Sequence, residues 1–487
     1  MQIFEFGAAR ALLAVFLLGS TAAAEPPQQD KIPITTSSEE ARRLYLEGRE
    51  LAEKLRATDS RKLFEQAVAK DKTFALAQVG LANTAGTAKE FFRALNQAIA
   101  LSGKVSEPER LIIAGLEAGT KGNVAKQRES YTKLTQAYPK DERGFNLLGN
   151  YYFGQQDYPA AVDAFKKATA INPAFSQPYN QLGYAYRFME KYPEAEEAFK
   201  KYIQLIPNDP NPYDSYAELL MKMGRFEESI KNYEKALSVD PNFVASYVGI
   251  GNDQIFMGRA ADARKTFARL AAVARNDGEK RLACQWTALS YVHEGATDQA
   301  LGEVQKMHAI AEADKDLATM AGDLNLMGNI LVEAGQPDRA LAKYAQQLEA
   351  IAAADVPAEV KETVRRNALA NEARVALARK DLATAKAKAA SYGQQVAVKK
   401  IPFEMRQQHE LFGRIALEEK SYPAAVAELE QANQQDPRVL YLLALALQGK
   451  GDGARARAVL SRAADFNGIA NNYPYVRSKA KELLSKS

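Results

Sequence analysis

The sequence predicts an all-α fold, an α-α solenoid superhelix of stacked helical hairpins. Three observations carry this. A 34-residue period holds in unbroken register over five blocks that start at Pro108, Glu142, Ser176, Pro210 and Val244. Within a block, apolar residues recur three and four apart, the spacing of one helix face. Small residues and prolines return at fixed columns of every block or nearly every block. A fixed period of this length means helix pairs that bury their apolar faces on their neighbours.

The aligned columns show why each block is a hairpin. Column 4 holds Leu111, Phe145, Tyr179, Tyr213 and Tyr247. Column 8 holds Gly115, Gly149, Gly183, Ala217 and Gly251. Column 24 holds Tyr131, Phe165, Phe199, Tyr233 and Phe267. Column 32 holds Pro139, Pro173, Pro207, Pro241 and then Arg275. In the second block Phe145, Leu148 and Tyr152 define the first helix. Gly149 lies on the same face and lets a second helix, marked by Ala161, Phe165 and Ala168, approach closely. Gly154 to Tyr158 makes a short polar turn. Pro159 opens the second helix, where a missing N–H costs nothing. Asn172-Pro173 closes it, because the residue before a proline is pushed out of the helical region.

These residues resemble the tetratricopeptide repeat (TPR) family, and the match has the character of an exported bacterial protein. The resemblance rests on Leu148-Gly149-Asn150-Tyr151-Tyr152, Ala161, Phe165, Ala168 and Pro173, with echoes in Leu182-Gly183, Ala195, Phe199 and Pro207 and in Gly224, Tyr233, Ala236 and Pro241. The register loosens on both sides. Residues 39–107 read as degenerate N-terminal hairpins, 108–277 as the regular array, and 278–487 as a longer, less regular array with a C-terminal cap. That is roughly twelve hairpins in all.

Bulk properties narrow the function. A net charge of +4, from 64 basic and 60 acidic residues, leaves no nucleic-acid footprint. One cysteine, Cys284, excludes an intrachain disulfide. Three histidines, His293, His308 and His409, share no metal-binding spacing. No phosphate loop and no nucleophile elbow is present. The expectation is a non-enzymatic chain without cofactor or metal. Residues 1–24 read as a signal peptide: Arg10 precedes the apolar run Ala11 to Gly19, and Thr21-Ala22-Ala23-Ala24 offers a cleavage site before Glu25. The apolar run is too short to span a membrane. Residues 25–38 read as a flexible leader. The mature chain is then expected to be exported, periplasmic or secreted, with no membrane insertion.

The resemblance implies a binding groove lined by the first helix of each pair, at columns 2, 5, 9, 12 and 13. Those columns place Asn146, Asn150, Phe153, Asn180, Tyr184, Arg187, Asp214, Glu218 and Asn252 in the groove. Asparagine offers a donor and an acceptor to a peptide backbone, and aromatic residues beside it supply apolar area. This set predicts an extended peptide or a partner helix laid along the groove, in a scaffold or adaptor of the cell envelope. A carboxylate-clamp type of TPR does not fit, because Arg143 is the only basic residue at the clamp columns of three successive blocks. The rival expectation is a carrier or sensor for a small envelope ligand, a glycan or cell-wall fragment. A closed pocket around residues 244–330 favours the rival; a long open groove favours the protein partner. An end repeat that exposed apolar columns would let copies self-associate.

Overall fold

The protein is described here by a computed structural model covering residues 30–54 and 56–486. The expected signal peptide lies outside the described residues. Twelve helical hairpins follow one another. They are α1 (Glu39–Glu53) with α2 (Ala57–Lys70), α3 (Ala75–Asn83) with α4 (Ala88–Leu101), α5 (Glu107–Thr120) with α6 (Val124–Ala137), and α7 (Glu142–Gly154) with α8 (Tyr158–Ile171). Next come α9 (Gln177–Phe188) with α10 (Tyr192–Leu205), α11 (Asn211–Lys222) with α12 (Phe226–Val239), α13 (Val244–Phe256) with α14 (Ala260–Val273), and α15 (Asp277–His293) with α16 (Thr297–Ala313). The last four are α17 (Leu317–Glu333) with α18 (Pro337–Ala353), α19 (Ala358–Ala378) with α20 (Leu382–Lys399), α21 (Pro402–Glu418) with α22 (Tyr422–Gln431), and α23 (Pro437–Lys450) with α24 (Gly453–Ala464). A final helix, α25 (Arg477–Ser485), ends the described chain. No strand occurs among the described residues.

The repeated columns meet as the sequence implies. A Cβ added at Gly149 would come within 2.5 Å of the Phe165 ring, so the ring of column 24 lies flat on the glycine of column 8. Phe165 is fully buried there. Where column 8 is Ala217, the ring of Tyr233 moves one repeat on and lies over Gly249. The turn inside each hairpin from α5–α6 onward holds one residue in the left-handed region. Glycine fills it at Gly122, Gly224 and Gly258, while Gln156 and Glu190 take the same conformation with φ of 64° and 58°. A side chain there costs about 1 kcal/mol. Replacement of Glu190 by glycine is therefore expected to raise stability by about 1 kcal/mol, read as a higher urea midpoint at unchanged slope.

Superhelical coiling brings distant hairpins together. The start of α2 meets the start of α15, where Thr58 Oγ1 donates to Glu279 Oε1 at 2.8 Å and Arg275 pairs with Asp59 at 3.4 Å. The N-terminus of α4 meets that of α17: the Lys89 backbone N–H donates to Asp316 Oδ2 at 3.1 Å. The turn after α7 meets the turn before α23 through Gln156 Nε2 and Asn433 Oδ1 at 3.1 Å. The second half of the array thus rests on the first.

The N-terminal segment departs from expectation. The described part of the leader does not hang free. It runs extended across the starts of three first helices, and carboxylates fasten it. Ile32 N–H donates to Asp141 Oδ2 at 2.8 Å, Thr35 N–H to Glu109 Oε1 at 2.7 Å, and Thr36 Oγ1 to Asp71 Oδ2 at 2.6 Å. At the other end α25 packs on α24, as a cap should. Arg477, at the start of the C-terminal cap, is buried.

Candidate functional site

The inner surface is built from first helices, and it is already occupied along part of its length. Residues 466–477 leave α24 and cross the inner faces of α11, α13, α15 and α23. Tyr473 sits at the centre, fully buried in one cluster with Ile250, Phe256, Trp286 and Leu289. Its ring meets Phe256 edge-on at 4.8 Å, and its hydroxyl donates to Asn252 Oδ1 at 2.8 Å. Flanking residues add polar fastenings. Gln285 Nε2 donates to Asn471 Oδ1 at 3.1 Å, and Asn472 Nδ2 to Asp436 Oδ2 at 2.7 Å. The Arg477 guanidinium stacks over the Phe256 ring at 4.4 Å and donates to Phe466 O and Asn467 Oδ1. Burial lowers its pKa to about 10. Lys222, at the end of α11, lies over the Phe466 ring at 5.1 Å.

Asn252, one of the predicted groove residues, therefore already holds a segment of the chain itself, which turns through a short 3-10 helix at Tyr473–Tyr475. The other predicted residues fall into three settings. Asn146 and Asn150 line a cavity on the first hairpins. Phe153 packs edge-on against Tyr158 and Phe188, at 5.4 and 5.6 Å. Tyr184, Arg187 and Glu218 form a polar network between α9 and α11, and Asp214 pairs separately with Ser246 between α11 and α13. Tyr184 Oη donates to Glu218 Oε1 at 3.0 Å, Arg187 pairs with Glu218 at 3.1 Å and stacks on the Tyr184 ring at 4.9 Å, and Ser246 Oγ donates to Asp214 Oδ1 at 2.7 Å. Asn180 is buried beside this network with its Oδ1 unpartnered. Side chains so engaged with each other make a stiff wall, with little hydrogen-bonding capacity left for a backbone laid across it.

The wall also holds buried acid. Burial pushes the Asp253 carboxyl up to about 8 against the pull of the Ser229 hydroxyl. Burial, helped by the charge of Glu218, does the same to Asp214, also to about 8. A carboxyl raised in the folded state stabilises the fold fully below its unfolded value near pH 4 and loses that contribution as pH rises toward 8. The urea midpoint is therefore expected to fall between pH 5 and pH 8.5. Asp253→Asn should flatten that slope and leave the protein more stable than the native chain at the alkaline end.

Among the described residues no group of three His, Cys, Asp or Glu side chains is placed to hold a metal. No described helix is long and apolar enough to cross a membrane. Cys284 is half-buried against the α15–α17 core, and burial raises its thiol pKa.

This architecture defines a class, the helical-repeat scaffold that works by binding protein, and comparison with known families agrees. Residues 114–175 and 146–210 match the family described as "Tetratricopeptide repeat", and residues 217–252 match "TPR repeat". The chain is an all-α solenoid of hairpins of that type. Among solved structures, one titled "Crystal structure of MamA protein" is 23% identical, with 34% of this chain and 91% of that chain covered and a TM-score of 0.29. Another, "Crystal structure of MamA", is 24% identical, with 33% and 93% covered and a TM-score of 0.28. Neither likeness bears on what this chain binds. No curated protein matches.

Proposed function

We propose that this protein is a non-enzymatic adaptor of the cell envelope whose concave groove takes an extended segment of a partner protein, in competition with its own C-terminal segment. The observation that supports this is the docking of residues 466–477 across the first helices, with the Tyr473 hydroxyl on Asn252. A surface that buries a short aromatic segment of its own chain, here a 3-10 turn at Tyr473–Tyr475, has the pockets and hydrogen-bond partners that a foreign segment needs. The proline between Tyr473 and Tyr475 limits how far such a segment can collapse when free, which lowers the ordering cost on docking. Export rests on the sequence of residues 1–24.

The test is affinity capture from a native envelope extract with three baits: the native chain, a chain carrying Tyr473→Ala and Tyr475→Ala, and the latter with Asn252→Ala and Phe256→Ala added. A protein held most strongly by the second bait and lost from the folded third supports the reading. A protein held equally by all three moves the binding surface elsewhere. Export is checked by the mass of the chain recovered from its own cells, expected to begin at Glu25.

A further inference from the structure

The first hairpins enclose a cavity of about 490 Å³, lined in part by Asn146 and Asn150, that the C-terminal segment does not reach. Phe64, Leu76, Val79, Ile112 and Leu116 form its apolar floor, and Ile32 and Ile34 of the leader close it from above. The leader stays there because Asp71, Glu109 and Asp141 hold its backbone and hydroxyls. Hydrogen bonds from Thr36 and Thr73 and from backbone N–H groups outweigh burial at Asp71 and hold its carboxyl down at about 2, so the strap is fastened throughout the physiological range.

The polar residues of the cavity are incompletely satisfied. Asn146 is 6% exposed, and its Nδ2 donates to Gln177 Oε1 at 2.7 Å. Its Oδ1 is buried without a partner, and so is Arg143 Nε. Both residues line the cavity. Buried polar atoms of this kind are ordinarily partnered, and here one orphan is an acceptor and the other a donor. Net charge around them is close to balanced. Arg49 lies 3.8 Å from Glu53, Arg143 lies 3.5 Å from Glu142, and Lys31 also pairs with Glu142. Burial raises the pKa of Glu53 against the pull of Arg49 and Arg143, so desolvation outweighs the nearby cations for a carboxylate there. An anionic head is thus a poor match. A neutral group that both donates and accepts is a good one.

We infer that this cavity is a binding site for a small amide flanked by apolar groups, with its N–H on Asn146 Oδ1 and its carbonyl on Arg143 Nε. A short hydrophobic peptide and an N-acyl amine share that chemistry. The size lies within the usual range for small-molecule sites, and the apolar floor supplies the burial.

The test uses the full chain and three probes in titration calorimetry: N-acetyl-leucyl-phenylalaninamide, N-hexylhexanamide, and hexyl hexanoate as the ester without an N–H. One or both amides should bind, and whichever binds shows the source. The ester should bind about tenfold more weakly, because it leaves the Asn146 oxygen unpaired. Asn146→Leu should erase the preference for amide over ester. Val79→Trp, which fills the floor, should abolish binding in a chain that still melts cooperatively; if it does not fold, Leu116→Phe replaces it. No binding of either amide, equal binding of amide and ester to the native chain, or undiminished binding after the cavity is filled would each overturn the inference. None of these readouts depends on the C-terminal segment, so they stand apart from the groove reading.

Discussion

Replacement of Tyr473 by alanine is expected to cost about 3–5 kcal/mol, the range for emptying a large aromatic site in a packed core. The ring is fully buried among residues of α13 and α15, and its hydroxyl is the partner of Asn252 Oδ1. The loss should be local. Tyr473 shares one core cluster with Tyr233 and Phe267, but the rings of those two rest on Gly249 and Gly251 of α13, so the array is expected to stay folded while residues 466–477 come off the groove. Two readouts separate these effects. Limited proteolysis should cut Tyr473→Ala between α24 and α25 at protease levels that spare the native chain. Circular dichroism should show near-native helix content. Loss of most helical signal would mean that the segment supports the whole superhelix and is not a removable occupant.

The second large effect lies in the least regular part of the array. Arg366 of α19 and Glu404 of α21 form a two-pronged ion pair, with Nε to Oε2 at 2.8 Å and Nη2 to Oε1 at 2.7 Å. Their side chains are 3% and 2% exposed. Arg366→Ala strands a buried carboxylate and should cost about 3–5 kcal/mol. Replacing both, as Arg366→Met with Glu404→Leu, removes the unpaired charge together with the attraction and should recover most of the loss. Urea unfolding of the two variants checks this. Equal destabilisation by the single and double changes would mean that packing, not charge, holds the two hairpins together. A neighbouring network repeats the theme: Glu410 lies 3.0 Å from Arg414 and 3.6 Å from Arg374, and its pKa is held down at about 2 by those arginines and Arg438 against the effect of burial.

The regular hairpins were legible because their determinants are local and repeated. Gly149, Ala161 and Phe165 lie within one block, and the same contact recurs at Gly183 with Phe199 and at Gly251 with Phe267. The match of column 8 to column 24 follows from spacing alone. The left-handed turn residue was less visible, because Gln156 and Glu190 stand where Gly122, Gly224 and Gly258 show the pattern. What the sequence hid is long-range. Tyr473 and Asn252 are 221 positions apart, and Ile32 and Asp141 are 109 apart. No period links them, and short segments without helical patterning read as a leader and a cap. The groove residues are expected from their columns alone. Columns cannot tell that Tyr184, Arg187 and Glu218 engage one another, that Asp214 is taken by Ser246, or that Asn252 is taken by the chain's own tail.

The two ends of the chain therefore do related things. The N-terminal strap closes an apolar cavity on the first hairpins, and the C-terminal segment fills the groove on the middle ones. The N-terminal segment is extended and the C-terminal one turns through a 3-10 helix at Tyr473–Tyr475; side chains of the hairpins and their caps hold both. On the proposed reading, the binding surface is one that segments of the chain itself cover.

The most direct measurement is the affinity of a labelled peptide of residues 466–482 for two forms of the full chain, by fluorescence anisotropy. One form is native; the other carries Tyr473→Ala and Tyr475→Ala. The peptide should bind the second form saturably and the native form far more weakly, and Asn252→Ala should weaken the binding that remains. Equal binding to both forms, or none to the folded double variant, would contradict the view that this groove is a peptide site held by its own C-terminal segment.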